Sequence, residues 1–382
     1  MTAARFLREH WQKKPLLVRG AFPDMAARAP AVVAPDALFT LAKRDDVVAR
    51  TVVDRGPSST SPRFALSEGA PRARDVRALA PRTTFLVQGT EMHVPDAWEL
   101  LRQFAFIPRA RIDDLMVSYA TEGGGVGPHF DLYDVFLVQS MGRRRWRVSQ
   151  QRDLSCDPRE ELRILKDLTP TLDEELAPGD LLYVPPRAAH EGTAVDACMT
   201  CSVGFLAPTH EQIVGNYLAF AGVAARRARG SRDALYADPD LTEAARPALV
   251  DDAMLARYAE ILRAALGDRA PDDDTLAVFV GRYLTGPKPF ARFVPPREKP
   301  SARAFATRLS QSGALALTGA TRMLVRAPRV FVNGEAHVVD ERAFAILARL
   351  ADDRALTLPL TVDGPLLELL HAWVRAGFVA VR

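Results

Sequence analysis

Six short segments constrain the first half of the chain: residues 85–89, 114–120, 134–140, 144–149, 180–186 and 199–205. Each is rich in β-branched and aromatic residues. Gly, Pro and Asp punctuate the gaps, so each reads as a β-strand. No helical pattern alternates with them, which argues against a doubly wound parallel sheet. Antiparallel strands closing into a barrel or sandwich are expected up to about residue 207. Helices are expected only at the edges, over residues 6–12, 36–43 and 96–104.

The pattern changes at residue 208. Thr209-His-Glu-Gln212 has the form of a capping box, so a long helix is expected to about Arg229, with Gly230 as its stop. A second helix carries Leu255, Tyr258, Ala259, Leu262 and Leu266 at helical spacing and ends at Gly267. A third covers about residues 275–284. Their broad apolar faces predict burial on more than one side, against the barrel or in a dimer interface. Residues 286–300 read as a Pro-rich basic linker. From residue 301 the expected order is helix, strand 329–333, an Asn-Gly turn, strand 336–339, helices 341–351 and 365–376, and a short final strand. This is a winged-helix-like unit. It holds ten arginines against seven acidic residues. Neither candidate helix carries the basic stripe of a groove reader, so a protein-protein role is favoured over DNA binding.

A chain of 382 residues can hold two or three domains, each with a core. The formal net charge of +3 does not by itself imply a nucleic-acid partner. No apolar run approaches membrane-spanning length, and the first residues lack the apolar stretch of a secretory signal. Three cysteines do not make a disulfide framework, and a reducing cytoplasm is expected. Cys198 and Cys201 are three apart on an expected strand and would face opposite sides. They read as small buried residues, not as a zinc or redox pair.

The chemistry is concentrated in GGGVGPHFDLYDVF, residues 123–136. On a strand, His129 and Asp131 would share a face. A proline and a strand follow the glycines in place of a helix, which argues against a phosphate cradle. His190 follows in PGDLLYVPPRAAH and reads as a loop residue after a buried strand. Two histidines and one carboxylate leave half of an octahedral metal open, the geometry of non-haem Fe(II) oxygenases. Arg144 and Trp146 alternate to one strand face, and Arg143, Arg145 and Arg147 to the other. An inward arginine needs an anion, which a dicarboxylate co-substrate would supply. The other histidines, at 10, 93, 210, 337 and 371, lack partners at ligand spacing and read as surface or capping residues.

Residues 6–22, 111–148, 176–192 and 202–209 resemble the bacterial ribosomal oxygenases of the JmjC type, and the likeness spans nearly the whole chain. That resemblance implies an α+β protein. A double-stranded β-helix, the JmjC or cupin barrel, would fill residues 1–207 and a helical dimerisation region residues 208–285. The linker 286–300 and a winged-helix-like domain at 301–382 would follow. It implies Fe(II) held by His129, Asp131 and His190, with Arg144 pairing the distal carboxylate of 2-oxoglutarate and Ser118 adding a hydrogen bond. Asp114, Met116, Tyr133 and Ser202 would line the substrate pocket. A carboxylate at 114 suits a guanidinium, and Tyr133 with Met116 can flank its flat face. The implied activity is arginine hydroxylation on a large-subunit ribosomal protein, number sixteen. The implied state is a cytoplasmic homodimer with no membrane and no sequence-specific nucleic-acid partner. Two alternatives stay open: the same chemistry on another residue, by histidyl hydroxylation or lysine demethylation, and a non-enzymatic cupin and winged-helix regulator. One departure stands out. Family members read MNYSVGF where this chain reads Met199-Thr200-Cys201-Ser202-Val203-Gly204-Phe205, so a short hydroxyl replaces an amide near the expected co-substrate pocket.

Overall fold

The computed structural model describes residues 1–25, 34–59, 62–222, 234–267 and 270–382. Its contacts divide the chain into two units. One takes residues 1–104, 112–207 and 237–243; the other takes 105–111, 208–236 and 244–382.

Among the described residues, the first unit is built on eleven strands: β1 (Leu16–Val18), β2 (Ala49–Asp54), β3 (Phe64–Glu68), β4 (Thr83–Val87), β5 (Ile112–Ala120), β6 (Asp134–Met141), β7 (Arg144–Ser149), β8 (Leu172–Leu176), β9 (Leu181–Val184), β10 (Ala189–Ala194) and β11 (Cys198–Phe205). The large sheet has the order β1-β9-β6-β11-β5-β4-β2-β3, and a small sheet has the order β10-β7-β8. The pairings within both sheets are antiparallel. The expected barrel of antiparallel strands is therefore present.

The run Val135 to Val138 of strand β6 is apolar on both faces. Val135 and Leu137 meet Trp146 and Val148 of the small sheet in one core cluster. Phe136, on the opposite face, joins an aromatic cluster with Phe6, Trp11, Phe104, Tyr183 and Phe205. Its ring centroid lies 4.8 Å from Phe104 and 4.9 Å from Tyr183. Polar ends are satisfied there. Trp11 Nε1 donates to Asp238 at 2.9 Å, and Tyr183 Oη donates to Asp134 at 2.6 Å. Among the described residues, this unit carries the α-helices α1 (Ala3–Glu9), α2 (Pro35–Ala42) and α3 (Ala97–Arg102), each within a few residues of its expected place.

The outward arginines on β7 and just before it are paired. Arg143 meets Glu175 and Asp196, Arg145 meets Asp173, and Arg147 meets Glu191. Strand β8, with the sequence Leu-Asp-Glu-Glu-Leu, carries no β-branched residue. Its acids lie across from β7 and help hold it in the sheet.

The second unit opens with α4 (His210–Phe220). Both bonds of its capping box form: Gln212 N donates to Thr209 Oγ1 at 3.1 Å, and Thr209 N to Gln212 Oε1 at 2.8 Å. The helix is shorter than expected. It ends at Phe220, with Gly222 in a left-handed turn, because that conformation breaks the hydrogen-bond ladder. The expected continuation to Arg229 and the stop at Gly230 lie outside the described residues. Helix α5 (Asp252–Leu266) ends at Gly267 as expected, and α6 (Asp273–Thr285) follows. The remaining elements are α7 (Ala302–Leu309), β12 (Gly313–Leu317), β13 (Met323–Arg326), β14 (Arg329–Val332), β15 (Glu335–Val338), α8 (Glu341–Asp353), β16 (Ala355–Leu358), α9 (Gly364–Ala376) and β17 (Val379–Val381). Strands β12, β13 and β16 have no counterpart in the sequence expectations; they are short segments of Ala, Leu and other common residues. One apolar cluster runs from Ile213 and Leu262 through Phe279 and Phe331 to Leu370 and Val379. No helix among the described residues is long and apolar enough to cross a membrane.

Helix α6 approaches β14 closely because of Gly281. A Cβ there would lie 2.5 Å from three carbons of the Phe331 ring. Gly281→Ala is therefore expected to lower stability by about 1–3 kcal/mol through overpacking. Gly215→Ala, on an exposed part of α4 with no atom in the way, should raise it by about 0.5–1 kcal/mol. Urea denaturation of both variants checks the contrast.

Candidate metal centre

His129 and His190 are joined by a pair of reciprocal backbone hydrogen bonds. His129 N donates to His190 O at 2.9 Å, and His190 N donates to His129 O at 2.8 Å. Directly paired residues project their side chains on the same face of an antiparallel ladder. The two rings accordingly sit 4.3 Å apart, centroid to centroid.

This pairing corrects two sequence expectations. His129 occupies an isolated bridge, not a strand, and Asp131 lies in the loop before β6. His190 lies on β10, not in a loop. The proline-rich turn ends at Arg187, in the left-handed region at φ 65°, and β10 begins two residues later. Arg187 N donates to Asp131 O at 2.7 Å and fixes the backbone of the loop carboxylate.

The three side chains converge. His190 Nε2 lies 3.5 Å from Asp131 Oδ2, and His129 Nε2 lies 4.0 Å from it. One ligand atom from each residue falls within 4.8 Å of the others. Ligands bound at about 2.1 Å on adjacent octahedral positions stand roughly 3 Å apart, so small side-chain rotations bring this set around one ion. Each histidine has its other nitrogen engaged. His129 Nδ1 meets Gly127 O at 2.9 Å, and His190 Nδ1 meets Ala188 O at 3.0 Å. Donation from Nδ1–H leaves the Nε2 lone pair free for a metal. Burial pushes the His190 imidazole down to about 4. A charge on His129 would push the same way, while Asp131 opposes both. The ring is thus neutral, as a ligand must be.

A cavity of about 440 Å³ opens onto this trio. Arg144 lines it from β7 and is only 5% exposed. Its Nη1 reaches Ser118 Oγ at 3.4 Å, a long contact, while Nε and Nη2 are buried with no acceptor. An arginine held inside a barrel with two unused donors fits a carboxylate. Trp146, on the same inner face of β7, lies beside both. Its ring is 6.1 Å from the His190 ring and 5.8 Å from Arg144 Cζ.

Asp114, Met116, Tyr133 and Ser202 all line this cavity too, together with Ser118. Asp114 Oδ2 accepts from Gly89 N at 3.2 Å. Ser202 and Met116 are cross-strand neighbours on β11 and β5. Met116 also packs on the cluster of Val52, Phe64, Leu86 and Ile164, so it serves core and cavity at once. Burial raises the Tyr133 phenol well above its usual range, and the Asp131 and Asp114 carboxylates raise it further. The phenol therefore stays protonated beside Asp131 and Asp114. Thr200 does not line the cavity. It is buried, and its hydroxyl donates to Gln139 Oε1 at 3.0 Å. Cys198 and Cys201 are free and buried, with the Cys201 thiol pushed up to about 11 by burial, which suits neither redox exchange nor zinc.

The cavity also takes in Arg50, Gln88, Asp113, Leu162, Arg163 and Ile164, none of which sequence reasoning singled out. Leu162 to Ile164 reach it from a connection between β7 and β8. That connection is pinned where Glu160 accepts from Arg63 N at 2.7 Å and Phe64 N at 3.0 Å. No local sequence signal announces such a long-range contact.

Residues 99–213 match the JmjC domain, and residues 265–380 match the ROXA-like winged helix. The chain is 32% identical to the ribosomal protein uL16 3-hydroxylase of Escherichia coli (strain K12), over 98% of this chain and 96% of that one. It superposes on the X-ray structure of E. coli ycfD with a TM-score of 0.79 at 29% identity, covering 100% of this chain and 98% of that one. A second structure, of YcfD as a ribosomal oxygenase in complex with cobalt and 2-oxoglutarate, matches with a TM-score of 0.75 at 29% identity over the same shares. The class is that of JmjC-fold, 2-oxoglutarate-dependent oxygenases with a C-terminal winged helix. Within it, the chain belongs to the ribosomal oxygenase family.

The His190 environment carries a pH dependence. An unfolded histidine protonates near pH 6.5, the folded one near 4. Stability contributed by the neutral ring is full above pH 6.5 and is lost as pH falls from 6.5 toward 4, by at most about 3 kcal/mol. Melting of metal-free protein across this window should reveal it, and His190→Gln should remove that component.

Proposed function

We propose that this chain is an Fe(II)- and 2-oxoglutarate-dependent hydroxylase of an arginine side chain on the large-subunit ribosomal protein uL16. The observation that carries the reading is one cavity lined by both His129, Asp131 and His190 and the unsatisfied guanidinium of Arg144. The donor set of two neutral imidazoles and one carboxylate fits Fe(II) with three positions open. Iron bound there supplies oxidative chemistry, in which one atom of dioxygen enters an unactivated C–H bond and the other enters succinate as 2-oxoglutarate loses carbon dioxide.

The chain's own residues do the rest. Arg144 neutralises and orients the distal carboxylate of the co-substrate, with Ser118 steadying the guanidinium. Asp114 offers the cavity a negative charge for a cationic side chain. Asp114 accepts from Gly89 N, and a guanidinium binds carboxylates through paired hydrogen bonds. Tyr133 and Met116 supply an aromatic face and an apolar surface for the flat cation and its stem. A protonated Tyr133 adds no charge to that wall. Arginine is favoured over histidine because an acid and an aromatic face line one pocket. A ribosomal substrate supports a cytoplasmic location. We assign self-association to the helical segment 208–285 and a protein-binding role to the C-terminal unit.

The test is incubation of the iron-loaded protein with uL16, 2-oxoglutarate and dioxygen. Succinate should form with a gain of one oxygen on an arginine of uL16. Asp114→Ala should raise KM for arginine peptides by about tenfold or more, the worth of a charge-assisted hydrogen bond, while succinate formation without peptide stays unchanged. Retained turnover in a His129→Ala, Asp131→Ala double variant would overturn the reading.

A further inference from the structure

We propose that Trp146 is a co-substrate-binding residue, whose indole walls the space between the metal ligands and Arg144 and whose Nε1–H donates to the distal carboxylate of 2-oxoglutarate. This rests on the oxygenase reading above.

Trp146 is 5% exposed, and its Nε1 is buried with no acceptor. A buried donor left unpaired costs roughly 1–3 kcal/mol, so an indole N–H inside a barrel normally finds a partner. Trp11, in the same unit, has one in Asp238. Trp146 instead shares its condition with its neighbour on the inner face of β7. Arg144 Nε and Nη2 are also buried and unpaired, and both residues line the same cavity. Three orphaned donors on two adjacent inward side chains suit one acceptor-rich group. A carboxylate, with about four lone-pair sites, can take all three.

The ring's position supports the same assignment. Trp146 lies between His190 and Arg144, with ring centroid and Cζ at 6.1 and 5.8 Å. A ligand held at one end by the metal and at the other by Arg144 passes along this ring. The chain also keeps room for it. Gly192 faces Trp146 directly across the β10–β7 ladder. A Cβ on Gly192 would lie 2.7–2.9 Å from three carbons of the indole's six-membered ring. Any other residue there would push the indole aside. Apolar packing accounts for a large ring at this place, but not for an N–H without an acceptor.

The experiment uses the full chain loaded with Zn(II), which binds without oxidising. Trp146→Phe removes the N–H and keeps an aromatic ring. By calorimetry this variant should bind 2-oxoglutarate about tenfold or more weakly, with Zn(II) affinity within about twofold of the unmodified protein. Binding of 2-oxobutanoate, which lacks the distal carboxylate, should be the same in both proteins. In unmodified protein labelled with nitrogen-15, the Trp146 indole resonance should move on addition of 2-oxoglutarate and stay in place with 2-oxobutanoate. This second measurement stands even if the variant folds poorly. Undiminished 2-oxoglutarate affinity in Trp146→Phe, equal losses for both ligands, or an unmoved indole resonance would overturn the assignment. Arg144→Met separates the two levels of inference. If the unmodified protein and Arg144→Met both fail to bind 2-oxoglutarate, the oxygenase reading itself falls. If Arg144→Met alone abolishes binding and Trp146→Phe leaves it intact, only the role of Trp146 falls.

Discussion

The site depends on one backbone contact, the reciprocal hydrogen bonds between His129 and His190. Two residues separated by about sixty positions are thereby placed side by side with their rings on one face. The contact also sets the reach of Asp131, whose own carbonyl accepts from Arg187 N at the turn that leads into β10. Backbone bonds, not side-chain packing, therefore set the geometry of the three ligands. Each imidazole is then turned by a carbonyl two residues before it, at Gly127 and at Ala188, so that Nε2 faces inward.

The barrel around this contact carries an internal polar load that its apolar shell has to support. Arg144 and Trp146 place buried donors without acceptors inside the first unit. Such groups reduce stability unless a ligand meets them. The cost is offset by the apolar run Val135 to Val138 of β6, packed on both faces, and by an aromatic cluster around Phe136. Outside the barrel Arg145 and Arg147 of β7, with Arg143 just before it, meet Asp173, Glu175, Glu191 and Asp196. The same strand is thus saturated outward and unsaturated inward, and the inward side is where function is placed.

Strands β5, β6, β7, β9 and β11 were legible because their runs of Val, Leu, Phe, Tyr and Trp have one physical explanation, burial in a sheet. Strands β8 and β10 were not. Leu-Asp-Glu-Glu-Leu and Ala-His-Glu-Gly-Thr-Ala carry little intrinsic strand preference and form through pairing with β7. The capping box at Thr209 was legible because both partners lie within four residues. Helix α4 ends at Phe220, where Gly222 turns the chain, and the expected end at Gly230 lies outside the described residues. The candidate ligands His129, Asp131 and His190 were chosen by residue type, although the expected strand face at His129 and Asp131 is a bridge followed by a loop.

The sequence alone determined the ligand types, the inward alternation of Arg144 and Trp146, and the order of a strand-rich half followed by a helical one, since these are local patterns of period two or 3.6. Tertiary structure decided which distant residues share a space. It paired His129 with His190 and brought Asp114, Met116 and Tyr133 to the wall of the same cavity. It also left the Arg144 and Trp146 donors without partners there. The reason is physical. Whether a buried polar atom is satisfied depends on every chain segment that folds around it, and no single stretch of sequence contains that information.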